Sequence, residues 1–232
     1  IPYIQFLIMH LFIKRLVDLL GALFGFALLL PLLIVLAVAI KLDSKGPVLF
    51  KQGRRTKDGR IFKMWKFRSM VVNAESIGSG LFSYENDPRI TKVGRFLRNT
   101  SLDELPQLFN VLEGSLSLVG PRPCVTYELG DFDTLNKRYK KRFSVKAGIT
   151  GLAQARGRNE NSWDEKVSLD NEYIDLFQKQ GVWIDMVVLF ETFINVFKSK
   201  DITESKFDVN MEDEESAKRA EEEIIRIAHM PD

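Results

Sequence analysis

Residues 100–110 read TSLDELPQLFN, and the adjacent carboxylates Asp103 and Glu104 are the first candidates for chemistry. Two readings fit the local sequence. Ser101, followed three residues later by Glu104, has the spacing of a capping box, in which hydroxyl and carboxylate each accept a backbone N–H from the other residue. Pro106 then falls near the first helical turn, where its missing N–H does no harm. The alternative is that the two carboxylates act on a substrate. The cations Lys66, Arg68, Arg95, Arg98, Arg122, Arg156 and Arg158 bear on that choice. Taken singly, each is an ordinary solubilising charge. Arg122, however, stands in GPRP, and Arg156 and Arg158 close the glycine-punctuated segment KAGITGLAQARGR (146–158), so both are expected in stiff turns that aim a side chain. Arginine forks bind phosphate oxygens in pairs, and a helix N-terminus adds backbone donors.

Carboxylates beside phosphate-binding cations point to phosphoryl transfer. An aspartate can attack phosphorus directly. Two anions approach each other only when their charge is neutralised, which implies Mg²⁺ held by carboxylate and phosphate oxygens. Other metal chemistry is poorly supplied. The chain has two histidines, His10 and His229, near opposite ends, and one cysteine, Cys124. That composition argues against a histidine-rich zinc site, a thiolate cluster and an intramolecular disulfide, and it fits a reducing compartment.

The formal charge of +2 over 232 residues conceals an asymmetry. Residues 201–232 carry eleven acidic and four basic side chains, leaving +9 for the rest. A body of that sign expects anionic partners. Nucleic acid is the poorer fit, because no recognition helix or aromatic stacking surface accompanies the cations. The acidic tail reads as a solvated helix or a mobile end.

The catalytic candidates follow a membrane element. Leu19–Ile40, LLGALFGFALLLPLLIVLAVAI, is 22 residues without a polar side chain. As a helix it is about 33 Å long, enough for a bilayer core. Lys14 and Arg15 precede it, and Lys41 and Lys45 follow. Basic residues at both ends fit a simple span poorly. Pro31 lies mid-run and predicts a kink. A helix that bends there and returns to one face would place all four cations at the same surface. The residues themselves leave both topologies open.

Beyond the membrane element, Val48–Lys51 and Ile61–Phe67 read as short strands joined by a turn at 57–59. Residues 74–92 read as a loop or short lid, and helical periodicity resumes in KVGRFLRNTSLDELPQLFNVLEG. Residues 127–142 read as a polar, partly helical surface segment, and 164–177 as a helix. The segment 182–197, VWIDMVVLFETFINVF, is an apolar helix interrupted by Asp185, Glu191 and Asn195, lying against the bilayer or packed on the body.

Five ordered blocks carry a resemblance: KRLVDLLGA (14–22), GPVLFKQGR (46–54), FKMWKFRSM (62–70), NDPRITKVGRFLRNTSLDELPQLFNVLEGSLSLVGPRP (86–123) and KAGITGLAQARGR (146–158). From Phe12 to about Lys198 the chain resembles the bacterial sugar transferases known as monotopic phosphoglycosyl transferases. The resemblance implies transfer of a phosphosugar from a UDP-sugar to polyprenyl (undecaprenyl) phosphate, releasing UMP and initiating a surface glycan. It implies Asp103 as the nucleophile of a covalent phosphosugar intermediate and as a Mg²⁺ ligand, with Glu104 as general base or metal-site partner. It implies substrate contacts from the matching cations, Lys66 through Arg158.

The same resemblance implies an α/β membrane-associated fold. A re-entrant helix (about 12–42, within 1–45) broken at Pro31 precedes a compact, mainly helical cytosolic catalytic domain (46–200). That domain would contain a short β-hairpin and amphipathic interfacial helices, and the acidic tail (201–232) would follow. Lys14 and Arg15 would face the headgroups of an anionic phospholipid membrane, on the cytoplasmic side of the bacterial inner membrane. Homodimerisation is left open. Two departures stand out. The family break is commonly Ser-Pro, whereas Leu30-Pro31 lacks the hydroxyl that could cap a freed carbonyl. Cys124 follows GPRP and reads as a small buried filler or as part of the pocket wall.

Overall fold

The computed structural model describes residues 2–76, 87–157, 162–198 and 214–231. Helix α1, Pro2–Asp43, is 42 residues long and contains Pro31 without a break in its helical course. Proline removes one backbone bond and crowds the preceding turn, which bends a helix more readily than it ends one. Among the described residues α1 is the one helix long and apolar enough to cross a membrane. Leu20, Leu23, Phe24, Leu28, Ile34, Val35 and Val38 are exposed along it, whereas Ala22, Leu33, Leu36 and Ile40 are buried against the body.

Strands β1 (Leu49–Arg55) and β2 (Ile61–Phe67) form an antiparallel hairpin around a 3₁₀ turn at Lys57–Gly59. The second strand and the turn match the sequence expectation, but β1 runs to Arg55 rather than stopping at Lys51. The longer strand pairs Arg54 with Phe62 and Gln52 with Met64, so Phe50, Gln52, Arg54, Met64 and Lys66 share one face. On the other face Lys51 lies opposite Trp65, its Nζ 3.8 Å from the ring centroid.

Helices α2 (Lys92–Asn99) and α3 (Gln107–Glu113) follow, separated by a 3₁₀ turn, and β3 (Ser117–Val119) pairs in parallel with β4 (Gly148–Thr150). Helix α4 (Lys137–Lys141) lies between those strands in sequence, and α5 (Leu152–Gly157) follows β4. Residues 146–157 are therefore a strand and a helix rather than a glycine-rich turn. The glycines serve close approach instead. A Cβ on Gly148 would fall on Gly120 N, and one on Gly151 on Gly120 O, so only glycine brings these two backbones together. Of the expected loop or lid over 74–92, residues 77–86 lie outside the described residues.

Helices α6 (Trp163–Gln180) and α7 (Trp183–Lys198) complete the body. A full capping box at Ser162 and Glu165 starts α6. Ile184, Asp185 and Val188 of α7 are buried in the core with Tyr173, Ile174 and Phe177 of α6, while Trp183, Phe190 and Phe193 are exposed. The polar interruption at Asp185 is thus an inward-facing residue.

The acidic tail is more than a solvated end. Helix α8 (Glu214–Ala228) packs Ile224, Ile227 and the fully buried Ala228 against Leu129, Leu135 and Tyr139. The apolar residues gathered in the last two turns of this charge-rich helix dock it. Asn136 secures both helices: its Oδ1 accepts from Tyr139 N to cap α4, while its Nδ2 donates to Met230 O beyond the end of α8.

Candidate active site

Asp103 and Glu104 do not begin a regular helix. Thr91 caps α2, accepting from Gly94 N, and α2 ends at Asn99. Ser101 then adopts a left-handed conformation, φ 56° and ψ 14°, without a side-chain capping bond. An N-cap residue needs extended backbone, so the capping box expected from the spacing does not form. A left-handed conformation costs a non-glycine residue about 1–2 kcal/mol. Here it reverses the chain between α2 and α3 and throws Leu102–Glu104 into a 3₁₀ turn, with Glu104 N donating to Ser101 O. Asp103 is 4% exposed.

Glu104 is the hub of a charge cluster. Arg122 Nη2 lies 2.8 Å from Glu104 Oε1 and its Nη1 3.3 Å from Oε2, while Lys66 Nζ lies 3.2 Å from Oε1. Burial lowers the Lys66 pKa from its ordinary 10.5, and Glu104 and Asp103 oppose that fall. Arg54 joins the cluster from the Lys66 face of the hairpin. Burial lowers its pKa as well, with Glu128 and Glu104 acting against this and Arg122 adding to it. Its guanidinium donates to Gln52 Oε1 and to Pro123 O. Sequence reading missed Arg54. The available signal was strand alternation, but only once β1 is known to reach that far.

The turn carrying Arg122 is fastened to the parallel strands, with Gly120 N donating to Thr150 O and Gly148 N to Pro121 O, both at 2.9 Å. Cys124, next along, is buried and free, and burial pushes its thiol up to about 11. It fills space in a cluster with Leu129, Leu135 and Phe143.

The other expected substrate cations are distributed elsewhere. Arg68 is buried and donates to Ile40 O, Ser44 O, Ser44 Oγ and Lys45 O, fastening the last turn of α1 and the two residues just beyond it to the end of β2. It is an anchor for α1. Arg156 ends α5 and pairs with Glu172 at 3.3 Å and Glu191 at 3.0 Å, joining α5 to α6 and α7. Arg95 is exposed on α2; burial pushes the Asp87 carboxyl up, but hydrogen bonds from Arg89 hold it low, and half-buried Arg98 adds the smallest share. Arg158 lies outside the described residues.

Lys14 and Arg15, expected at the headgroups, bond to the body. Lys14 Nζ pairs with Asp185 Oδ2 at 2.7 Å and donates to Val119 O, while Arg15 donates to Val111 O and Leu112 O at the end of α3. Both side chains pin α1 to the body.

Among the described residues no three His, Cys, Asp or Glu side chains come together as a metal site. Magnesium commonly takes only one or two carboxylates and completes its shell with water and substrate phosphate. The buried carboxylate of Asp103, with Glu104 engaged by two cations beside it, fits such a shared site.

A buried carboxylate and a half-buried one thus lie beside cations able to receive phosphate, in a body that follows a helix long and apolar enough to cross a membrane. The sequence matches the model of the bacterial sugar transferase family over residues 9–199, and the chain belongs to that family. It is 46% identical over 190 residues to a UDP-glucose:undecaprenyl-phosphate glucose-1-phosphate transferase of Klebsiella pneumoniae, covering 81% of this chain and 40% of that protein. It is 43% identical over 194 residues to the galactosyl transferase CpsE of Streptococcus agalactiae, covering 79% and 42%. With a UDP-galactose-lipid carrier transferase of Erwinia amylovora the identity is 42% over 205 residues, covering 81% and 41%. The chain therefore spans about two fifths of the length of these relatives. Helix α8 lies beyond the family match.

Proposed function

We propose that this chain transfers a sugar-1-phosphate from a UDP-sugar to undecaprenyl phosphate, releasing UMP, through a covalent intermediate on Asp103. The observation that carries the reading is the Glu104 charge cluster: Arg122 and Lys66 converge on one carboxylate whose chain neighbour, Asp103, is buried. A relative named as a UDP-glucose:undecaprenyl-phosphate glucose-1-phosphate transferase matches the chain over about four fifths of its length.

In this reading Asp103 Oδ attacks the sugar-linked phosphorus, the bond to the UMP oxygen breaks, and UMP departs with the electron pair. Lys66 and Arg122 offer their charge to the diphosphate. Glu104 keeps both cations aimed while the site is empty. A phosphate oxygen of undecaprenyl phosphate then attacks the same phosphorus and frees Asp103, leaving a polyprenyl-diphosphate sugar. A Mg²⁺ held by Asp103 and the donor's phosphate oxygens would neutralise charge between nucleophile and diphosphate.

The reading extends to an α1 that stays on one side of the bilayer, with the catalytic body on the cytoplasmic face. Support comes from both ends of the helix binding one body: Lys14 holds Asp185 near its start, and Arg68 holds Ile40 and Ser44 carbonyls near its end. A helix crossing the bilayer would have to carry one of these attachments to the far side. Exposed Trp183, Phe190 and Phe193 on α7 suit the headgroup boundary.

The test is UMP release by protein in nanodiscs, with Mg²⁺, undecaprenyl phosphate and a panel of UDP-sugars, beside Asp103→Asn. Release that needs the lipid acceptor and vanishes in the variant supports the transferase. Release undiminished without acceptor identifies a hydrolase, and full activity in Asp103→Asn removes Asp103 from the chemistry.

A further inference from the structure

The backbone that presents Arg122 is held residue by residue. Pro121 O accepts from Gly148 N at 2.9 Å, Arg122 O from Arg142 Nη2 at 2.8 Å, Pro123 O from Arg54 Nη1 at 3.1 Å, and Cys124 O from Arg55 N at 2.9 Å. Two of the four donors are side chains. Arg54 already belongs to the charge cluster around Glu104, whereas Arg142 reaches in from the 3₁₀ turn after α4.

Arg142 is 3% exposed and is itself fixed. Its Nε and Nη2 lie 3.1 and 2.9 Å from Asp170 Oδ2 on α6, and its guanidinium carbon lies 5.0 Å from the Trp163 ring centroid. Burial pushes the Asp170 carboxyl up, and Arg142 acts to bring it down. Arg142 Nη1 and Asp170 Oδ1 are buried without a protein partner. Arg142 also lines, with Arg55, Arg122 and Phe143, a cavity of about 10 Å³, close to the room one water needs. A buried ion pair adds little stability compared with well-packed apolar residues, so stability alone is a weak reason for one at this place. What an apolar pair could not supply is a directed donor to the carbonyl of Arg122.

We infer that Arg142, oriented by Asp170, is a positioning residue for Arg122: it fixes the Arg122 backbone so that the guanidinium points at Glu104 and at the diphosphate of the donor. This rests on the transferase reading and adds to it a route by which α6, far from the carboxylates in sequence, governs donor affinity.

The test is a double-mutant cycle. UDP affinity by calorimetry and kcat/KM for UMP release are measured for wild type, Arg142→Lys, Arg122→Ala and the double variant. Lysine keeps the charge but cannot reproduce the guanidinium fork. Arg142→Lys is expected to weaken UDP binding and kcat/KM about tenfold in the wild-type background. In the Arg122→Ala background it should do so less than about twofold, because interacting sites are non-additive. The thermal shift caused by Arg142→Lys should be the same in both backgrounds.

Equal losses in both backgrounds, or no loss in either, overturn the inference. Should Arg142→Lys fail to fold, Asp170→Asn carries the same cycle. Wild type that binds UDP yet releases no UMP defeats the transferase reading while the affinity cycle still decides the role of Arg142. Wild type that binds no UDP defeats both.

Discussion

Lys14 and Asp185 stand 171 residues apart in the chain and 2.7 Å apart in the fold, both almost fully buried. Tyr173 donates to the other oxygen of the same carboxylate, also at 2.7 Å. The first basic residue before the membrane segment is thus tied to the last helix of the body. Lys14→Met should destabilise the protein by about 3–5 kcal/mol, because it strands a buried carboxylate. Lys14→Met with Asp185→Leu should recover most of the loss. Thermal melts in a single detergent compare the three, and a double variant no better than the single would mean that the pair matters through something other than charge.

Glu104→Gln leaves Lys66 and Arg122 without their shared charge. Burial already lowers the Lys66 pKa, and Glu104 is the strongest influence raising it, so the variant should lower it further. The protonated form then disappears at lower pH. If charged Lys66 serves the diphosphate, the alkaline limb of residual UMP release moves to lower pH, with kcat down about 10²-fold. An unmoved limb would show that Lys66 does not limit the rate.

Burial pushes the Cys124 thiol up from its ordinary 9.0 to about 11. At pH 8 roughly one folded molecule in a thousand carries the thiolate, so iodoacetamide should label Cys124 only after denaturation. The linked effect on stability follows in sign. Below pH 9 the contribution is complete, and between about 9 and 11 it is lost, because the unfolded thiol ionises first. Rapid labelling of native protein at pH 8 would be incompatible with a packed Cys124.

Asn136→Ala removes the cap of α4 and the side-chain bond to Met230 O together, while the backbone bond from residue 136 to Ala228 O stays in place. A lost cap costs about 1 kcal/mol. Hydrogen exchange should show the larger consequence, with amides at 222–230 losing protection while those of α6 keep theirs. Uniform loss across both helices would indicate that α8 unfolds only with the whole body.

Arg68→Met should act on α1 rather than on substrate affinity. It unties the carbonyls of Ile40, Ser44 and Lys45 and buries no replacement donor. A loss of about 2–3 kcal/mol in stability is expected, with KM for the UDP-sugar within about twofold of wild type. A large rise in KM without destabilisation would return Arg68 to the substrate site.

Asp103, Glu104, Lys66 and Arg122 were singled out from the sequence, by their types and by the family resemblance around them, and the fold brings Lys66 and Arg122 onto Glu104. Arg54 was not, since its face of the hairpin depends on how far β1 extends, and that length is set by pairing with β2. Arg68 and Arg156 resembled Lys66 in sequence but fasten helices in space.

Local chemistry also misled at Ser101, whose capping box is sound for an isolated helix. Packing of α2 and α3 demands a chain reversal there, and the left-handed residue takes precedence over the cap. The sequence by itself determined the apolar length of α1, the hairpin, the helical periods of α6 and α7 and the identity of the carboxylate pair, because each depends on neighbours a few residues away. Only the tertiary structure decided which cations meet Glu104, that Lys14 faces Asp185, and that α8 docks. Those outcomes depend on pairing between distant segments, which sequence neighbours do not encode and which burial of charge and apolar surface then enforces.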